Sequence, residues 1–146
     1  ISKISYGKED NASILEVLLK SKYKKMYVGG FEMELTLRLD ILRDAGQLSK
    51  ENYNKIIQVI NYFEEKRGVK LLEDNASMFI THLCSALGRI EENNLVNKLD
   101  DVVAQSLKEN ENYDEALKVA KDLEAVLGEI PDSELDFIVM HVCTLI

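Results

Sequence analysis

One pattern governs this chain. From residue 32 onward, apolar residues return every three or four positions in six successive blocks, and no block alternates convincingly at the two-residue period of a strand. Leu35, Leu39 and Leu42 carry the first block, from about Glu32 to Ala45, and Gly46 is placed to end it as a C′ residue. Ser49 suits the N-cap of the second, which holds Tyr53, Ile56, Ile57, Ile60 and Phe63 and stops at Gly68. Asp74 or Asn75 is expected to cap the third, where Met78, Phe79, His82, Leu83, Ala86, Leu87 and Ile90 share a stripe. The fourth is expected from about Leu95 to Leu107, with Leu99, Val102 and Val103 between. The fifth runs from about Tyr113 to Leu127 and meets Gly128 and Pro131, a strong stop. The sixth begins at Asp132 or Ser133, and Ser133 and Asp136 have capping-box spacing, with Asp in place of the preferred Glu. Phe137, Ile138, His141, Val142 and Leu145 form its stripe. Short connections between such helices predict mostly antiparallel neighbours in an all-α bundle.

The 146 residues make one domain or a domain with a short flank, and 46% apolar residues suffice for a core. No apolar run approaches the ~18–20 residues of a membrane span, and no signal-peptide pattern is visible. The sequence starts at Ile1 and stops at Ile146 inside an apolar block, so a piece of a larger chain is expected. Charge is uneven. Residues 1–30 hold six Lys and three acids; the remainder holds twelve Lys plus Arg and twenty-three acids, a balance of −11. So acidic a body repels a phosphate backbone, which argues against direct nucleic-acid binding by the main domain. Lys20, Lys22, Lys24 and Lys25 follow a short amphipathic stretch from Ser13 and suit a solvated helix C-terminus better than an anion site. Cys84 and Cys143, two thiols in apolar blocks, make no disulfide framework and point to a reduced cytoplasmic setting.

The two histidines and two cysteines invite a metal reading, which helix geometry opposes. Two residues apart on a helix means about 200° around it, so neither His82 with Cys84 nor His141 with Cys143 closes on one ion. The Glu-x-x-His pattern of di-iron bundles is absent, as are nucleophile-elbow, phosphate-loop and zincin motifs. No metal, cofactor or enzymatic chemistry is expected. What remains is the histidines themselves. Arg89 lies seven residues after His82, and Glu134 seven before His141. Each therefore shares its histidine's face, about 10 Å along the axis. Arg89 is placed to reach toward an anion near His82; Glu134, to accept a proton from an imidazole or to hold a neighbouring helix. Read alone, the residues favour a hydrogen-bonded core or boundary histidine over a reactive one.

The order of landmarks adds to this. Glu65-Lys66-Arg67-Gly68-Val69-Lys70-Leu71 ends one helix. His82 follows with Leu83, Ala86 and Arg89, then comes a long acidic middle, and then Ile130-Pro131, Glu134, Phe137-Ile138 and Met140-His141-Val142. In these, residues 49–146 resemble a PTS regulation domain (PRD), a helical module controlled by the bacterial sugar phosphotransferase system. The resemblance implies a compact five-helix bundle over 49–146, with 32–48 as an additional helix and connection and 1–31 as a flank. It implies that His82 and His141 occupy the two positions that receive phosphoryl groups from HPr or an EIIB component, on helices brought together by the fold. It further implies a homodimer whose packing, and the activity of an attached transcriptional regulator or antiterminator, respond to phosphorylation. The alternative is a helical dimerisation scaffold that is not phosphorylated. Thr81 stands where the family often places an acid, and can orient an imidazole without supplying charge. Gly88 weakens its helix by up to ~1 kcal/mol relative to Ala. No RNA-binding or helix-turn-helix effector is recognisable in residues 1–48.

Overall fold

The computed structural model describes residues 34–94 and 96–146. The Lys20–Lys25 cluster and the rest of the flank lie outside them. Among the described residues there are six helices and no strand: α1 Leu35–Asp44, α2 Lys50–Arg67, α3 Glu73–Glu91, α4 Asp101–Lys108, α5 Tyr113–Leu127 and α6 Asp132–Cys143.

Where punctuation is chemically strong, the boundaries fall where the residues put them. Ser49 caps α2, its hydroxyl accepting from the Asn52 backbone N–H at 3.1 Å. Ser49→Ala is therefore expected to cost about 1 kcal/mol in a urea denaturation midpoint experiment. Gly68 ends α2 in the left-handed region with φ +65°, and the Gly68 and Val69 N–H groups both turn back to the Phe63 carbonyl, the latter at 2.9 Å. α5 spans Tyr113–Leu127 and stops at Gly128, as expected.

Three expectations are corrected. α3 starts two residues earlier than a cap at Asp74 would place it, with Leu72 as N-cap; Asn75 does not cap but reaches back, its Oδ1 accepting from the Leu72 N–H at 2.7 Å. α6 begins at Asp132, one of the two expected starts, but with Pro131 as N-cap Ser133 lies inside the first turn and the Ser133–Asp136 box does not form. α4 is shorter than the expected Leu95–Leu107. The acids Asp100 and Asp101 favour a helix N-terminus where they stand, and residues 96–100 run outside it. Its stripe also fails: Leu107 is buried, but Val102 and Val103 are exposed.

The polar contacts show how the helices run. Asp40 near the end of α1 accepts from the Tyr53 hydroxyl early in α2 at 2.7 Å. Asn52 at the start of α2 donates to Glu91 at the end of α3 at 2.8 Å. Tyr62 and Arg67, toward the end of α2, bond Asp122 and Glu115 of α5 in reversed order. Asn112, just before α5, donates to the Cys143 and Ile146 carbonyls at the end of α6. Each of these pairs is antiparallel; for α1 with α2, α2 with α3 and α5 with α6 the short connection demands it. Leu39, Ile56, Val59, Phe63, Ile80, Leu123, Ile138 and Val142 meet in one core. α1 belongs to it through Leu35, Leu39, Ile41 and Leu42.

Candidate functional site

α3 and α6 also run antiparallel, and that places both histidines at one level. The His82 and His141 rings are 5.2 Å apart between centroids, tilted by 40°. His82 is buried and His141 half-buried. Two aromatic rings complete the stack. Phe137, one turn before His141, lies 5.6 Å from the His82 ring; Phe79, nearly one turn before His82, lies 6.0 Å from the His141 ring. Phe79 is held in turn by an edge-on contact with Phe63 at 5.8 Å. Both imidazoles thus stand in an apolar slot with core Phe79 on one side and half-buried Phe137 on the other, which fixes ring orientation by packing.

The polar end of the slot belongs to Arg89 and Glu134. With His82 facing His141 on antiparallel helices, a residue seven after one meets a residue seven before the other. Arg89 Nε donates to Glu134 Oε2 at 2.9 Å and Nη2 to Oε1 at 3.0 Å, a two-pronged pair. Glu134 is fully buried and the Arg89 side chain 13% exposed. Of the two roles open to Glu134, it holds the neighbouring helix, and the same carboxylate lies 3.8 Å from His82 Nε2. Arg89 therefore reaches the anion next to His82, not the imidazole. A pair this deep is costly to desolvate and costlier to break, so it fixes the relative position of the helices more than it adds net stability.

Thr81 looks the other way. Its hydroxyl lies 3.4 Å from Arg38 Nη1 on α1. Arg38 is buried, and its guanidinium forks onto Glu73, with Nε at 2.9 and 3.1 Å from the two carboxylate oxygens. Nothing in the sequence around Arg38 marks it for this role. Its partner Glu73 is 35 positions away, so no spacing rule links them. Cys84 lies on this flank too. Burial pushes its thiol up to about 12, against a smaller opposing pull from Arg38. A thiol so protonated is neither a nucleophile nor a ready metal ligand. Burial also raises the Cys143 thiol. Met78, expected on the apolar stripe, is 69% exposed, on the rim one turn before His82.

Among the described residues, no group of three or more His, Cys, Asp or Glu side chains could hold a metal ion. None of the described helices is long and apolar enough to cross a membrane. A largely enclosed imidazole pair, one ring buried and one half-buried, with a guanidinium–carboxylate bridge at one end can accept a group on nitrogen and register the added charge across two helices. A family model described as PRD domain matches residues 57–144, more than half of the chain. No curated protein and no solved structure matches it.

Proposed function

The chain belongs to the PRD family, and on that premise we propose that it is a phosphotransferase-system-controlled regulatory module whose phosphoacceptors are His82 and His141. The observation that carries the reading is the ring pair itself. The chain has two histidines, and α3 and α6 bring both to one slot, 5.2 Å apart. A phosphoryl group adds about −1.5 to −2 charge at pH 7. Placed between helices that also carry Glu134, that charge forces the packing to one side or the other, and close-packed interfaces respond in steps. Arg89 and Glu134 support the site as the charge pair at its end, and Thr81 by tying α3 to α1.

HPr, an EIIB component, or both are the donors in this reading, and the responding interface is that of a homodimer in a cytoplasmic regulator or antiterminator. Residues 49–146 form the PRD unit, with residues 32–48 as an addition that shares its core. The module regulates and does not catalyse. Sedimentation velocity tests the reading before and after incubation with phosphoenolpyruvate, Enzyme I and HPr, with and without EIIB. Acid-labile phosphate on the chain together with a changed dimer fraction is the expected result. Phosphate with an unchanged dimer fraction would remove the responding interface from this reading, and no phosphate with any donor would favour the second reading, a helical dimerisation scaffold that is not phosphorylated.

A further inference from the structure

We infer that Arg89 holds two anions in alternation: the Glu134 carboxylate while His82 is unmodified, and a phosphoryl group on His82 Nε2 once it is not. This rests on the phosphoacceptor reading and adds the identity of the group that has to move.

The position next to His82 Nε2 already contains an anion. Glu134 Oε1 is 3.8 Å from that nitrogen, and both carboxylate oxygens are taken by Arg89. Glu134 has no exposed surface through which water could screen it. A phosphoryl group on Nε2 brings three acceptor oxygens into the same few ångströms. Two anions within about 4 Å of each other, out of reach of water, repel strongly. The guanidinium is a planar fork of five donors that fits a phosphoryl group as well as a carboxylate, and the phosphoryl group carries the larger charge. So Arg89 turns to the phosphoryl group, and Glu134 is left without its counter-ion in the first turn of α6. The modification thereby acts on the Arg89–Glu134 tie between α3 and α6 at this end of the slot.

The transfer balances with the donor phosphohistidine alone. The His82 Nε2 lone pair forms the new N–P bond as the donor's N–P bond breaks and its electron pair returns to the donor imidazole. The proton on the other nitrogen of each ring stays in place.

The exchange predicts a reversal of sign. In a His141→Ala background, where label on His82 is read alone, phosphorylation should lower the Tm of the chain, because Glu134 is displaced. With Glu134→Gln added, the unmodified protein keeps the shape but leaves Arg89 without its counter-ion, and phosphorylation should raise the Tm. At limiting donor, His82 occupancy should also rise about tenfold or more in Glu134→Gln, since a like charge at this range is worth at least that. A purely structural ion pair gives Tm shifts of the same sign in both proteins and equal occupancy, which would overturn the exchange. Should Glu134→Gln fail to fold, the Arg89 Nε–H resonance in the His141→Ala protein decides: it moves on phosphorylation if the guanidinium changes partner, and stays if it does not. Absence of label on His82 would overturn the phosphoacceptor reading together with this one, whereas label with same-sign shifts overturns the exchange alone.

Discussion

Arg89→Ala is expected to lower the free energy of unfolding by about 3–5 kcal/mol, the cost of leaving one partner of a buried pair alone. Glu134 is fully buried and both its oxygens rest on Arg89. Removing the guanidinium leaves a carboxylate that has neither water nor a full counter-charge. The nearby His82 can compensate only in its protonated form, at 3.8 Å and with one nitrogen. Replacing both partners by apolar residues of similar volume, Arg89→Met with Glu134→Leu, should cost far less than the single change, because no buried charge is left over. Urea denaturation of the two single variants and the double variant measures the coupling between the sites. A loss below about 1 kcal/mol for Arg89→Ala, the range of exposed pairs, would mean that the site is wetter than its geometry implies.

Phe79→Ala is the second large effect, with an expected loss of about 3–5 kcal/mol from lost burial and the cavity left behind. Phe79 is 2% exposed and lies between the Phe63 ring and the His141 ring. Its removal opens the centre of the core and takes one wall from the histidine slot, so His141 should lose its fixed orientation as well. Met78, its neighbour in sequence, is the natural control: it is 69% exposed, and Met78→Ala should stay within about 0.5 kcal/mol. Thermal and urea denaturation of the two variants side by side would contradict this placement if Met78→Ala were the more damaging.

The contrast between Phe79 and Met78 also shows what periodicity can and cannot read. Both satisfy the helical spacing, yet one is core and one is rim, because a stripe's width depends on which helices cover it. Helix ends were legible where a residue has a backbone reason to be there: Gly68 with positive φ, Ser49 with its hydroxyl on an N–H, and Gly128 before Pro131. They were less legible where acids and amides compete for the same turn, as at Asp74, Asn75 and Asp100. Asn93, which takes φ +55° after α3, carried only the weak signal that Asn tolerates that region.

The histidine pair was legible in part. Equal seven-residue offsets to Arg89 and Glu134 are unremarkable on separate helices; once α3 and α6 are antiparallel, they put the two residues opposite each other. Spacing could name the faces, but the pairing of the two helices had to come from the fold. Arg38 on Glu73 and Thr81 was not legible, since it depends on α1 lying against the start of α3.

The central claim is that His82 and His141 accept phosphoryl groups. Intact protein, His82→Ala, His141→Ala and the double variant, each incubated with labelled phosphoenolpyruvate, Enzyme I, HPr and EIIB, test it most directly. The account predicts acid-labile label on the intact chain, partial label on each single variant and none on the double variant. Label persisting on the double variant, or no label on the intact chain with either donor, would contradict it.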